Sequence, residues 1–280
     1  MVRKSSGWMV KGTTNILVCS PRHFSIDYEI NSWMRVENTI DSEKAVRQWL
    51  NFCTKLAKCG AEIHYIEPHP DFPDMVFTAN AGLVHKKSKS VILSNFKHEE
   101  RQGETELFKR WFLDNGYRVI ELPKSICFEG EGDALFLGDT LFLGYGFRTD
   151  LESHEIVAKA LGVDYVSCEL VNPYFYHLDT CFMPMKDRIV YFKDAFSGYT
   201  QRKMVKKFVE IGTNKGRLDI LNVHSEQADE FICNSVHIKS SVITPSYNSH
   251  LSFAGYEEHK CDLSEFMKSG GAAKCLTLKL

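Results

Sequence analysis

The sequence predicts an α/β fold of about five strand–helix–strand units, on three grounds. Apolar residues recur at helical spacing in several stretches, each followed by a glycine. Short runs of apolar and β-branched residues lie between those stretches. The units return at roughly 50 residues, which suits a radial repeat; an ordinary doubly wound sheet is the other reading.

The helices follow in chain order. Ala45, Val46, Trp49, Leu50, Cys53, Leu56 and Ala57 form one stripe, with Gly60 as its stop. Leu107, Trp111 and Phe112 form a second, ending near Gly116. Ile156, Val157, Ala160 and Leu161 precede Gly162, and Met204, Val205, Phe208 and Val209 precede Gly212. A glycine past the last turn supplies a left-handed cap. A short helix is expected over residues 263–268. Strands are expected at Ile16–Cys19, Val91–Leu93, Tyr117–Ile120, Thr140–Leu143, Arg188–Phe192 and Ser241–Thr244. No Pro/Ser-rich linker or low-complexity tract interrupts the pattern, so residues 1–280 are expected to form one domain.

The chain has 280 residues, of which 44% are hydrophobic and 25% charged, and its net charge is −2. No basic field invites nucleic acid, and no apolar stretch approaches the ~20 residues of a membrane span. Arg3, Lys4 and Lys11 are not followed by an apolar region, so no signal peptide is expected. Nine cysteines without a Cys-x-x-Cys pair point to a reduced, cytoplasmic setting, with most thiols packed in the core.

Cys275 is the exception. It follows Gly270-Gly271 at the junction between a loop and a terminal strand, and two upstream clusters strengthen its claim to be a nucleophile. His177 and Asp179 form a His-x-Asp pair that would share one face of a strand. The imidazole suits proton transfer and the carboxylate suits holding a substrate or orienting the ring. Glu129, Glu131 and Asp133 alternate with glycines, which implies a turn where backbone comes close to a ligand. Concentrated acid is costly to bury without a cation, and a planar guanidinium matches carboxylates bidentately. Arg148 ends a strand and suits a substrate carboxylate. No zinc-type His/Cys set accompanies the His-x-Asp pair, so neither a metal nor another cofactor is expected.

These motifs resemble the guanidino-group modifying superfamily of arginine deiminases, dimethylarginine hydrolases and amidinotransferases. Glu129-Gly130-Glu131-Gly132-Asp133 is similar to that family's Glu-Gly-Gly-Asp, with one extra residue. His177-Leu178-Asp179 keeps its His-Leu-Asp pattern, and Gly270-Gly271 through Cys275-Leu276-Thr277 matches its ending. Phe77-Thr78-Ala79-Asn80 stands where the family has Phe-Thr-Arg-Asp. Residues 27–34, Asp-Tyr-Glu-Ile-Asn-Ser-Trp-Met, look like a segment of arginine dihydrolases, which take arginine to ornithine, ammonia and carbon dioxide. The resemblance spans nearly the whole chain and implies a five-bladed α/β propeller. It implies Cys275, His177, Glu129 and Asp179 as catalytic residues, with Asn80, Asn31, Arg148 and Asp133 binding substrate. Free L-arginine is the expected substrate, without nucleic acid or membrane partners; a homo-oligomer is left open. No cyclodeaminase domain is expected after Cys275. A one-step deiminase or dimethylarginine hydrolase is the alternative in the same class, and an amidinotransferase lacks a recognisable acceptor site. A non-catalytic binding propeller is the alternative of a different class, and it has no need of Cys275, His177 and the acidic turn together.

Overall fold

A computed structural model describes residues 13–215, 218–245, 253 and 255–280; Arg3, Lys4 and Lys11 lie outside them. β1 (Thr14–Cys19) leads through α1 (Ser42–Lys58) to β2 (Ala61–Ile66), which lies parallel to β1. β3 (Gly82–His85), β4 (Ser90–Leu93), α2 (Glu104–Asp114) and β5 (Arg118–Ile120) form the second unit. β6 (Ala134–Leu137), β7 (Thr140–Tyr145), α3 (Glu152–Leu161) and β8 (Asp164–Glu169) form the third. β9 (Phe182–Pro184), β10 (Arg188–Tyr191), α4 (Gly198–Lys215) and β11 (Asp219–Asn222) form the fourth. β12 (Val236–Ile238), β13 (Ser241–Thr244) and β14 (Glu257–Lys260) form the fifth. β15 (Leu278–Lys279) then pairs antiparallel with β1, so the end of the chain completes the first sheet. The result is five sheets of three strands. In every sheet one outer pair is antiparallel and the other parallel.

Alternation along the middle strands shows how the sheets close on one another. Ile16 and Val18 of β1 enter a core shared with Val236 and Ile243 of the fifth sheet. Leu17 and Cys19, on the other face, pack with Val91 and Leu93 of the second. Ile92 packs with Leu141 and Leu143 of the third sheet, while Phe142 faces Phe182 and Ile189 of the fourth. Val242 of the fifth sheet joins that last core. Each sheet is thus buried on both faces, and the five form a ring, as the predicted propeller requires. This is why the strands read as unbroken apolar runs rather than as alternating ones.

The helices lie where the sequence places them. Asp41 caps α1 by accepting the Lys44 N–H, and Ala45, Trp49, Phe52, Cys53 and Leu56 line its buried face. Gly162 ends α3 with φ +66°. Gly212 departs from expectation: α4 runs through it to Lys215. Its place has another use, because a Cβ there would lie 3.4 Å from the Leu218 side chain, where the chain turns back toward β11.

Phe208 of α4 is 1% exposed and packs against Phe142, Phe182 and Tyr191 with centroids 5.7, 6.1 and 5.8 Å away. Phe208→Ala should lower the unfolding free energy by about 3–5 kcal/mol, measured by urea titration.

Candidate active site

A tight turn precedes each inner strand of the ring. Four are single 3₁₀ turns, at Thr78–Ala81, Gly130–Gly132, Leu178–Thr180 and Ile232–Asn234. The fifth is the turn before β15 that carries Cys275. Backbone bonds tie these turns together: the Ala79 N–H donates to the Cys275 carbonyl at 3.1 Å and the Lys274 N–H to the Asn234 carbonyl at 2.9 Å. Cys275, His177, Glu129, Asp179 and Asn80 therefore gather at one end of the ring axis. All are buried, with Cys275 only 2% exposed.

The thiol of Cys275 lies 3.3 and 3.5 Å from the two oxygens of Asp179. Burial and the Asp179 charge push its pKa well above the usual thiol value. Burial likewise raises Asp179 to about 6, against the pull of Lys274 and His177. Glu129 behaves oppositely. Burial would raise its pKa, but Arg148 at 3.0 Å and His177 at 2.7 Å hold it well below the carboxylate range. An ionised carboxylate only accepts, so His177 Nε2 carries the proton and donates it to Glu129. The ring is thereby oriented, as a proton carrier beside a nucleophile must be.

The His-x-Asp pair reaches these positions without the strand expected for it. His177 is the extended residue before a 3₁₀ turn, and Asp179 lies inside that turn. The acidic run is a turn, as its glycines imply, and its carboxylates diverge. Glu129 goes to His177, while Glu131 turns to Lys274 Nζ at 3.1 Å. Asp133 accepts the Leu178 N–H at 3.0 Å, which braces the His177 segment, and its Oδ2 has no partner among the described residues. The glycines between them permit close approach of protein to protein. A Cβ on Gly130, whose φ is +58°, would lie 2.6 Å from the Gly82 nitrogen. One on Gly132 would lie 2.4 Å from Asn80 Nδ2 and 3.3 Å from the His177 ring.

Two expected substrate contacts are otherwise engaged. Asn31 accepts the N–H groups of Trp33 and Met34 and donates to the Ser269 carbonyl at 3.1 Å, so it shapes its own turn. Arg148 donates to Glu129 and to the Ile30 carbonyl at 2.9 Å, and stacks 4.7 Å from the Tyr176 ring centre. In this state it keeps Glu129 ionised. Asn80 does have a free group. Its Oδ1 accepts from Arg101 at 2.8 Å, and because a guanidinium only donates, this fixes the amide orientation. Nδ2 is left as a buried donor with no partner among the described residues.

Three residues were missed from the sequence. Arg101 is fixed by Glu104 at 2.8 and 2.9 Å and in turn holds Asn80. Asp74 is buried, with Oδ2 accepting from Tyr28 at 3.1 Å and Oδ1 unpartnered among the described residues. Asn234 organises the nucleophile turn. Its Oδ1 accepts from the N–H groups of Ala272, Lys274 and Cys275 at 3.0, 3.1 and 3.2 Å. Its Nδ2 donates to the Asp179 carbonyl at 3.0 Å and points at Cys275 Sγ from 3.1 Å. One signal existed for it. Asn80 stands two residues before β3 and Asn234 two residues before β12, an equivalence visible only once the repeats are aligned. Among the described residues, no group of three His, Cys, Asp or Glu is placed to hold a metal ion.

Comparison with known proteins shows the family to which the chain belongs. The family model described as "N,N dimethylarginine dimethylhydrolase, eukaryotic" matches residues 20–280. The bifunctional arginine dihydrolase/ornithine cyclodeaminase ArgZ of Synechocystis is 42% identical over 95% of this chain, which spans 37% of that relative's length. The N(G),N(G)-dimethylarginine dimethylaminohydrolase of Mycobacterium tuberculosis is 35% identical over 96% of the chain and 86% of its own. The crystal structure of the N-terminal domain of ArgZ, as a cysteine-to-serine mutant bound to substrate, superposes with a TM-score of 0.86. It is 42% identical, covering 95% of this chain and 97% of that one.

Asn234→Asp keeps an acceptor for the three N–H groups but turns a charged acceptor toward the sulphur. The pH midpoint for alkylation of Cys275 by iodoacetamide, read by mass spectrometry, should move upward by about one unit or more. An unmoved midpoint would show that the Asn234 donor does not act on the thiol.

Proposed function

Because this chain belongs to the N,N-dimethylarginine dimethylhydrolase family, we propose that it hydrolyses the guanidino group of free L-arginine, and does so twice, giving ornithine, two ammonia molecules and carbon dioxide. The observation that carries the second step is the unpartnered amide donor of Asn80.

In the first step the resting thiol is neutral, because burial and Asp179 oppose its ionisation. A guanidinium entering beside Asp179 reverses the sign of the local field and favours the thiolate. Asp179 then binds the cation bidentately, and the free oxygen of Asp74 suits the α-ammonium. Cys275 gives up its proton to His177 as Sγ attacks the guanidinium carbon, and His177, oriented by Glu129, hands that proton to the departing ammonia. Water deprotonated by His177 adds to the thiouronium carbon. Collapse expels the thiolate and leaves citrulline.

Citrulline is neutral and presents a carbonyl oxygen where the substrate had N–H groups. A carboxylate at position 80 would repel that oxygen; the Nδ2–H of Asn80 donates to it and stabilises the charge that develops there on a second attack. Arg101 holds the amide oxygen on its own side, so the group Asn80 leaves unpartnered is its Nδ2–H donor. The second ammonia leaves, water cleaves the S-carbamoyl adduct to release the thiol and the carbamate of ornithine, and that carbamate breaks its C–N bond to give ornithine and carbon dioxide. The similarity to the Mycobacterium tuberculosis enzyme favours a second reading, in which methylated arginine is hydrolysed once to citrulline.

His177→Ala should lower turnover by roughly 10²–10⁴-fold, the worth of positioned acid–base catalysis. Steady-state assay of ammonia release from arginine checks it, and activity close to wild type would reassign the proton carrier.

Asn80→Asp should raise the citrulline-to-ornithine ratio formed from labelled arginine. Ornithine should dominate in wild type. Citrulline alone from wild type would select the one-step reading. Equal ratios in both proteins would leave the overall reaction standing and remove the role given to Asn80.

A further inference from the structure

The ring axis has a second end. Beyond the Glu131–Lys274 ion pair lies a cavity of about 690 Å³, in the range of small-molecule sites. All five inner strands contribute to its wall, through Val84, Ala134, Met183, Val236 and Lys279 among others. It holds none of Cys275, His177, Asp179 or Asn80, so it is separate from the reacting end.

Its chemistry is uneven. Phe182, Met183 and Val236 make an apolar wall. Against it stand the lysines 86, 274 and 279, close enough that the first two act electrostatically on the third. Lys274 is neutralised by Glu131. The ammonium groups of Lys86 and Lys279 have no hydrogen bond or ion pair among the described residues. Burial makes the charge on Lys279 costly, lowering its pKa to about 8. Glu131 offsets part of that cost, and Asp139 and Asp164 also line the cavity, yet four lysines, 86, 87, 274 and 279, stand against these three carboxylates. An incoming anion would stabilise the positive charge left over.

We propose that this axial cavity binds a small organic anion, its acidic head on Lys279 and Lys86 and its apolar body against Phe182, Met183 and Val236. An inorganic ion would leave that wall unused, and an uncharged hydrocarbon would leave the two lysines unpaired. The proposal does not rest on the reaction assigned above.

The test uses the full chain and the probe 8-anilinonaphthalene-1-sulfonate, an apolar body with an anionic head, followed by fluorescence titration. Wild type should show one saturable site. Lys279→Gln and Lys86→Glu should each weaken it by about tenfold or more, the usual effect of removing one member of a close charge pair. Lys86 is exposed, so its variant tests the idea even if Lys279→Gln folds poorly. Cys275→Ser should bind as wild type does. The uncharged analogue N-phenyl-1-naphthylamine should bind at least about tenfold more weakly. No saturable binding, unchanged affinity in both lysine variants, or equal affinity for the uncharged analogue would overturn the proposal.

Discussion

Pairing between the last strand and the first is the constraint on which the rest depends. Only two residue pairs, Ile16 with Lys279 and Leu17 with Leu278, define the ladder. Contacts on either side extend it: the Leu280 N–H donates to the Asn15 carbonyl at 2.9 Å and Thr78 Oγ1 to the Leu17 carbonyl at 2.9 Å. Without that closure the ring would expose the faces of its first and fifth sheets. Cys275, three residues before the strand, would also have no fixed relation to Asp179, His177 or Asn80. Fold and nucleophile are thus secured by the same few bonds.

Closure buries charge, and the site is organised around meeting that cost. Arg148 with Glu129, Arg101 with Glu104, and Lys274 with Glu131 are ion pairs whose members are nearly or wholly enclosed. Breaking such a pair leaves an isolated buried charge, worth several kcal/mol. Each pair also positions a group of the site: His177 through Glu129, Asn80 through Arg101, and the nucleophile turn through Lys274. Of the seven buried side-chain polar atoms without a partner among the described residues, three belong to these turns and their neighbour Asp74. Asp74 Oδ1, Asn80 Nδ2 and Asp133 Oδ2 are buried without partners among the described residues. Two acceptors and one donor suit a ligand with both cationic and carbonyl character better than they suit a folded interior.

Lys274 joins the two ends of the axis. Its backbone N–H belongs to the Asn234 network that shapes the Cys275 turn, and its ammonium belongs to the floor of the axial cavity. Glu131, set beside Glu129 in sequence, faces that floor because a single 3₁₀ turn rotates alternate side chains apart.

The local pattern in the sequence determined the elements and the chemical types. Amphipathic spacing marked α1 to α4, apolar runs marked the middle strands, and Cys275, His177, Asp179 and Glu129 were legible from their neighbours. These depend on residues a few positions apart, which is the range over which periodicity carries information. Gly212 lay inside α4 rather than after it because its use is a contact with a returning segment. Asn31 and Arg148 were read as substrate contacts, yet their polar atoms are used by Ser269 and Glu129, far away in the chain. Asn234, Arg101 and Asp74 escaped notice for the same reason: an amide, a guanidinium and a carboxylate look ordinary until the partners that fill or leave vacant each polar atom are in place. Which hydrogen bonds are made and which are withheld is a property of the closed ring, and no spacing along the chain encodes it.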